Sequence, residues 1–338
     1  MKQTIIVTGG LGYIGSHTVV ELLNEDYDVV VIDNLSNSSE SVIDGIRAIT
    51  KKGIHFCNID IRNYDALEEI IGYYQESATA VIHFAACKSV GESMSKPDKY
   101  YDNNVNGTLN LLRAMKKYNI GNLIFSSSCT VYGQADELPI TEKTPIKPAE
   151  SVYGRTKQIC EQMIKDFHAE YNFSSILLRY FNPIGSHSSA EIGELPNGIP
   201  DNLIPYITQT AIGKREQLTV FGTDYDTKDG TCVRDYIHVV DLAKAHVCAL
   251  KASNKKDYTS EPINLGTGNG YTVKEVLNAF EEYNDVILNV KFGERRSGDV
   301  TSAYANADYA YSELNWKCEL GLKEMVISAW KWEQNNNK

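Results

Sequence analysis

The chain has 338 residues, 42% apolar and 23% charged, and carries 44 acidic against 33 basic side chains for a formal net charge of −11 at pH 7. At about 150 residues per domain there is room for roughly two domains with a real core, and the composition excludes wholesale disorder, collagen-like repeats and coiled coil. The acidic balance repels phosphate backbones and excludes a nucleic-acid scaffold, so an anionic ligand has to be met by local cations or backbone N–H groups.

The first strand signal, Ile5 to Val7, comes almost at once, with no basic, apolar and small-residue series of a secretory leader, and the expected location is cytoplasmic. Helical spacing at Val19, Leu22 and Leu23 follows. A second strand lies at Val29 to Ile32, a third ends at Asp60-Ile61, and a fourth runs from Ala80 to Phe84. Leu123 to Phe125 is the fifth, a helix is marked by Ile159, Met163 and Phe167, and Ile176 to Leu178 is the sixth strand. Unbroken apolar runs of this length bury both faces, and alternation with helical segments predicts a doubly wound parallel α/β sheet of Rossmann type with a second, smaller α/β lobe. Past residue 182 the rhythm breaks: Pro183, Pro196, Pro200 and Pro205 predict long loops. A strand-like Tyr236 to Val240 and a helix-like Asp241 to Leu250 are expected to return to the first domain. The expected division is therefore 1–182 with the return of 226–265, against a ligand lobe within 183–338, mainly 183–225 and 266–333. The polar tail from Gln334 is expected to fray. No apolar run approaches a bilayer span.

Thr8-Gly9-Gly10-Leu11-Gly12-Tyr13-Ile14-Gly15 contains Gly-x-Gly-x-x-Gly from Gly10 and Gly-x-x-Gly-x-x-Gly from Gly9. Glycines here allow a tight turn and close approach to a pyrophosphate, whose charge rests on the helix N-terminus that follows. Asp33, at the end of the second strand, is placed to accept the adenosine ribose hydroxyls and to repel a 2′-phosphate, which favours NAD over NADP. Asp60-Ile61 suits the adenine edge, though an ordinary acidic loop serves as well. Phe84-Ala85-Ala86 either lets a dinucleotide lie against the backbone or fills tight packing.

Ser128 follows the fifth strand, and Tyr153-Gly154-Arg155-Thr156-Lys157 comes 25 residues later. Tyr153 and Lys157, at i and i+4, share one helix face, which helical geometry puts at the border of the Ile159, Met163 and Phe167 stripe. A fixed ammonium and the positive nicotinamide of NAD are both expected to favour the phenolate of Tyr153, and Ser128 to hold a substrate hydroxyl toward it. A lone Tyr-x-x-x-Lys is more often plain surface, and position after a dinucleotide-binding half distinguishes this one. The seven cysteines, 57, 87, 129, 160, 232, 248 and 318, form no Cys-x-x-Cys pair and read as reduced thiols. His83 and His238 lack metal-ligand spacing and read as structural, so no metal is expected.

With these residues the sequence resembles the extended short-chain dehydrogenase/reductase family, and within it the branch that epimerises UDP-hexoses at carbon 4. The matching segments are Thr8 to Gly15, Asp33 to Ser38, His83 to Lys88, Val90 to Ser93, Tyr101 to Thr108, Tyr153 to Lys157, Arg179 to Pro183, Asn202-Leu203, Gly230 to His238 and Arg295 to Asp299. The resemblance implies tightly bound NAD, regenerated at each turnover, and a transient 4-keto sugar. It implies Ser128, Tyr153 and Lys157 as the catalytic set. Cofactor contacts are implied at Gly9, Gly12, Tyr13, Ile14, Gly15, Asp33, Asn34, Ser36, Asn37, Ser38, Asp60, Ile61, Phe84, Ala85, Ala86, Lys88, Asn103, Ser126, Tyr153, Lys157 and Tyr180. Substrate contacts are implied at Lys88, Ser128, Tyr153, Phe181, Asn182, Asn202, Leu203, Phe221, Arg234, Arg296, Asp299 and Ala303. The two arginines are the local cations that the acidic balance demands.

Two departures stand out. Some members carry a bulky Tyr where this chain has Ala303, followed by Tyr304, and the smaller residue is expected to leave room for a 2-acetamido group. Cys129 stands where small residues are common, and a buried, unreactive thiol is expected. The resemblance also implies a homodimer built on two helices per subunit, while charge, apolar runs and histidine spacing give no expectation of a nucleic-acid, membrane or metal partner. Three alternatives remain at this stage. A 4,6-dehydratase would want Asp-Glu after the strand-end Ser, where this chain has Cys129-Thr130. A net oxidoreductase would exchange its cofactor freely, and a nucleotide-sensing module would not turn over.

Overall fold

The structure, a computed structural model, describes residues 2–256, 258–295 and 300–337. Its first half alternates strand and helix: β1 Thr4–Thr8, α1 Tyr13–Asn24, β2 Asp28–Asp33, α2 Val42–Thr50, β3 His55–Asn58, α3 Tyr64–Tyr73 and β4 Ala78–His83. Two short helices, α4 Val90–Ser95 and α5 Pro97–Tyr100, run through a π-helical turn, Tyr101–Asn106, into α6 Gly107–Lys117. Then come β5 Asn122–Ser128, a 3₁₀ turn over Cys129–Tyr132, α7 Val152–Tyr171 and β6 Ser174–Tyr180. The later elements are β7 Asn182–Ile184, α8 Leu203–Ala211, β8 Leu218–Phe221, β9 Val233–His238, α9 Val239–Ser253, β10 Thr259–Leu265, β11 Gly270–Thr272 and α10 Val273–Asn284. β12 Val290–Gly293, β13 Ser302–Ala303, α11 Asp308–Leu314 and α12 Leu322–Asn335 complete the chain.

Seven strands form one sheet in the order β10-β6-β5-β4-β1-β2-β3, every pairing parallel. The apolar runs explain it. Ile5, Val7, Val29, Val31, Ile82, Ile124 and Leu178 face one core with α1 and α9, while Ile6, Val30, Ile32, Val81, Phe125 and Leu177 face the opposite core with α3, α6 and α7. Successive side chains point to opposite faces, so both sets had to be apolar. The order reverses between β1 and β4, which opens a crevice at their C-terminal ends. This is the expected doubly wound Rossmann-type sheet.

A second set of strands lies apart: β9 pairs in parallel with β7 and β13 and antiparallel with β11, and β12 pairs in parallel with β8. The expected strand Tyr236 to Val240 is displaced to Val233–His238 and sits in this second sheet. What returns to the large sheet is α9, packed on α1, β5 and β6, and the edge strand β10 beside β6. A third core, with Ile207, Tyr236, Val276, Phe280 and Met325, underlies the second sheet. The proline-rich stretch 185–202 is irregular as expected, whereas Pro205 is taken into the first turn of α8, where its missing N–H costs nothing.

The face of α7 differs from the expected one. Tyr153, Lys157, Cys160, Glu161 and Ile164 are buried, while Ile159, Met163 and Phe167 are only part-buried. The apolar stripe is the helix flank, and polar residues point inward because partners on β5 and β6 satisfy them. Among the described residues no helix is long and apolar enough to cross a membrane.

Candidate active site

The glycine turn closes over the end of β1. Gly9 adopts φ +69°, donates to Ile32 O at 2.7 Å, and a Cβ on it would lie 2.6 Å from the Ala85 nitrogen. A Cβ on Gly15 would strike the Gly9 carbonyl oxygen. The turn, α1 and the end of β4 therefore fit together only without side chains. α1 starts at Gly12 with no side-chain cap and no acidic residue in its first turn, so the positive end of its dipole is left for a phosphate. Asp33, buried, accepts from Leu11 N and Leu35 N, both at 3.0 Å, and from Ser38 Oγ at 2.8 Å. Those bonds fix the carboxylate against the turn and leave a lone pair of Oδ2 for a ribose hydroxyl. Uncapped helix, glycine cradle and strand-end carboxylate together fit NAD.

Around this crevice, Phe84 N and Ala85 N donate to Thr8 O at 2.9 and 3.1 Å, bridging β4 to β1. Asn34 Nδ2 reaches Asp60 at 2.9 Å and Asn34 Oδ1 accepts from Ser36 N at 3.0 Å. Arg62 forks onto Asp60 and holds that carboxyl down at about 2. Ile61 is buried against Gly107. Asn37 is exposed, and Ser36 O accepts from Asn197 Nδ2 at 3.3 Å, so the 185–202 loop reaches this edge. Tyr13 donates to Gly185 O at 2.6 Å. His83 is gripped by Thr8 Oγ1 and Thr108 Oγ1 at 2.6 and 3.0 Å and burial pushes it down to about 3, a neutral structural group as expected.

Ser128, Tyr153 and Lys157 converge where β5 ends against the start of α7. Ser151 N-caps α7, accepting from Gly154 N at 3.0 Å, which sets Tyr153 in the first turn. Lys157 Nζ donates to Ser126 O at 2.6 Å and lies 6.0 Å from the Tyr153 ring centroid. Burial pulls its ammonium down to about 8. Burial likewise pushes the Tyr153 phenol up to about 12, with the Ser128 hydrogen bond opposing. Desolvation thus outweighs the Ser128 hydrogen bond at the phenol, and the phenolate calls on the positive nicotinamide as well as on the ammonium. Ser128 Oγ accepts from Thr130 N at 3.2 Å and Thr130 Oγ1 at 3.0 Å, so its own hydrogen is turned outward, toward the phenol oxygen. Ser126 Oγ bonds the Tyr180 hydroxyl below, and burial pushes that phenol up as well.

The other expected residues ring this centre unevenly. Phe181 is buried in a small cluster with Val131, Tyr132, Ile140 and Ala305, and Ala303 packs against it. Tyr304 lies on the side toward Gly270. Asn182 is exposed at the start of β7, Leu203 is half-buried, and Phe221 is 46% exposed on β8. Arg234, half-buried on β9 beside Ala303, donates to Val233 O and Val300 O, both at 2.8 Å. Arg296 and Asp299 lie outside the described residues. Lys88 Nζ and Asn202 Nδ2 both meet Glu194 Oε1, at 2.8 and 2.6 Å. Asn103 donates to Asn104 at 3.0 Å within the π turn. Ala86 follows the β4 bridge and is half-buried. Cys129 is half-buried, and desolvation pushes its thiol up to about 12, the inert form. Among the described residues no group of three or more metal-ligating side chains gathers.

Sequence reasoning missed four members of this surround. Asn104, buried, grips Cys87 N and O at 2.8 and 3.0 Å and Thr156 Oγ1 at 3.0 Å, pinning the loop after β4 to α7. Glu194 gathers Lys88 and Asn202. Glu161 and Arg179 pair beneath the site. Asn104 lay inside a segment already singled out, and Glu161 is four and eight residues from Lys157 and Tyr153, a spacing that pointed inward.

A family model described as NAD dependent epimerase/dehydratase family matches residues 5–266. The chain belongs to the NAD dependent epimerase/dehydratase family. Among relatives of this epimerase/dehydratase chain, the UDP-glucose 4-epimerase of Bacillus subtilis (strain 168) is 50% identical over 336 residues, 99% of this chain and 98% of that one. The crystal structure of UDP-glucose 4-epimerase from Bifidobacterium longum in complex with NAD+ and UDP superposes with a TM-score of 0.95 at 46% identity, covering 99% of both chains. That from Stenotrophomonas maltophila, with bound NAD and formylated UDP-arabinopyranose, gives a TM-score of 0.94 at 44% identity, covering 99% of both. Membership agrees with the glycine cradle and Asp33.

Proposed function

We propose that the protein is a UDP-glucose 4-epimerase, interconverting UDP-galactose and UDP-glucose on tightly held NAD. The observation that carries this reading is the Ser128, Tyr153 and Lys157 set at the mouth of a glycine cradle, in a chain half identical over its length to an enzyme of that name.

The cradle residues Gly9 to Gly15 and Asp33 would hold the dinucleotide, with Asp60, Phe84, Ala85, Asn103 and Tyr180 along its length. NAD held there would supply a reversible hydride acceptor for carbon 4, the chemistry by which a 4-keto sugar can be reduced again on its other face. Tyr153 Oη takes the 4-hydroxyl proton. Its conjugate base is favoured by the Lys157 ammonium, fixed on Ser126 O, and by the outward hydrogen of Ser128. Burial of the trio strengthens each of these interactions relative to water. The substrate nucleotide would be anchored by Asn182, Asn202, Leu203, Phe221, Arg234, Arg296 and Asp299, leaving the hexose against Phe181 and Ala303, an apolar wall that grips it weakly enough to let it turn over. Lys88 would meet phosphate oxygens.

The test is incubation of UDP-galactose with the purified protein and no added cofactor, with the product nucleotide identified by chromatography. UDP-glucose is expected, with no net NADH. A 4-keto-6-deoxy product would establish the dehydratase instead, and stoichiometric NADH a net dehydrogenase. A small residue at Ala303 supports the N-acetylated pair as additional substrates. Absence of UDP-N-acetylgalactosamine conversion beside brisk UDP-galactose turnover would refute that extension.

A homodimer is part of the same reading. Helix α4, where Val90 and Met94 are exposed, packs against α7, and this pair of helices offers the apolar surface for it. Sedimentation showing only a monomer at micromolar concentration would reject it.

A further inference from the structure

Beneath the reactive trio, a charged pair is sealed in the α7 side of the sheet. Glu161 and Arg179 are 3% and 2% exposed at their side chains. Arg179 Nε reaches Glu161 Oε1 at 2.9 Å and Nη2 reaches Oε2 at 2.5 Å, a bidentate fork. The carboxylate also accepts from Ser127 Oγ at 2.5 Å. Ser127 and Arg179 are register partners on β5 and β6, so one carboxylate from the helix straddles two strands. The guanidinium stacks 4.8 Å over the Tyr132 ring, and Tyr132 packs in the cluster that contains Phe181 and abuts Ala303.

Stability is a weak reason for such an arrangement. Taking two charges out of water costs several kcal/mol per ion, and apolar replacements of equal volume are often neutral or better. What an ion fork does that methylenes cannot is fix one axial position and one rotation, because its hydrogen bonds fail at displacements that apolar packing tolerates. The position it fixes matters here. Glu161 stands one helical turn below Lys157 and about two below Tyr153, and Ser127 immediately precedes Ser128.

We propose that Glu161 and Arg179 are positioning residues for the epimerase reaction: their fork, with Ser127, sets the register of α7 on β5 and thereby the approach of Tyr153 to Ser128. The inference rests on the epimerase reading above, which wild-type turnover tests independently. The experiment compares wild type with S127A/E161M/R179M, which removes the pair and the hydroxyl that would otherwise be orphaned, and with S127A alone, which frees the carboxylate from β5 while keeping the ion pair. The triple variant is expected to keep bound NAD, UDP affinity and thermal midpoint close to wild type, while kcat falls about ten- to a hundredfold with KM nearly unchanged, the signature of a misplaced reacting group. S127A is expected to lose at least about threefold in kcat alone. Wild-type kcat in either folded variant overturns the proposal. So does a parallel fall of kcat, NAD content and thermal midpoint, which would reduce the pair to a structural brace. If the triple variant does not fold, S127A decides. A wild-type protein that does not epimerise would instead indict the function itself.

Discussion

Tyr153 is a poor base by its surroundings alone, since burial holds its phenol near 12. Its competence therefore depends on the partners aimed at it, and this makes the substitutions at this site separable. Tyr153→Phe removes the proton acceptor and is expected to lower kcat by about 10²- to 10⁴-fold while UDP binding, measured by calorimetry, stays intact. Thr130→Val keeps the shape but removes the hydroxyl that donates to Ser128, so the serine hydrogen is no longer held outward. A several-fold loss of kcat at constant KM is expected, and an unchanged kcat would show that the backbone N–H of Thr130 suffices. Ala303→Tyr fills the wall beside Phe181. It is expected to abolish turnover of the N-acetylated nucleotide and to spare UDP-galactose, as read from the ratio of the two kcat/KM values.

The element that binds most tightly to its own geometry is the turn from β1 into α1. A methyl on Gly15 strikes the Gly9 carbonyl, so Gly15→Ala must open the turn at the place where phosphate would approach. The variant is expected to purify with little or no NAD, seen in its absorbance spectrum and in the dinucleotide released on denaturation. Retention of wild-type NAD content would contradict the cradle as the binding site. This turn was legible in the sequence because glycine spacing is a backbone statement. α7 was legible only in part: Tyr153 and Lys157 read as the border of an Ile159, Met163 and Phe167 face, whereas that stripe is the part-buried flank and Glu161 is held inward by Ser127 and Arg179.

For the whole molecule, buried histidines set the response to acid. Burial holds His17 and His83 down at about 3 and His238 and His246 at about 4, below the ordinary 6.5. Above pH 6.5 they are neutral folded or unfolded and cost nothing. As pH falls below 6.5 the unfolded chain takes up protons that the fold refuses, so stability declines from there down toward the folded values, on the order of 1.4 kcal/mol per pH unit for each fully buried group. Asp235 and Asp241, pushed up by burial, act in the opposite sense. The thermal midpoint is expected to drop between pH 7 and pH 5, and His83→Gln to flatten that slope. An identical slope in the variant would mean that His83 titrates normally in the fold.

Six strands of the large sheet and the dinucleotide cradle were determined by the sequence alone, because an apolar run buried on both faces and a glycine that must pass another backbone are local requirements, whereas the seventh strand, β10, was found only beside β6. Lys88 with Asn202 on Glu194, the inward face of α7 and the placement of β9 in the second sheet were decided only by the tertiary structure. Lys88 meets Glu194 across 106 residues, Lys157 and Glu161 meet Ser126, Ser127 and Arg179 across 18 to 34, and β9 is placed by a strand pairing that no local pattern encodes. A polar side chain reads as exposed until its partner is known, and the partner is supplied by the fold.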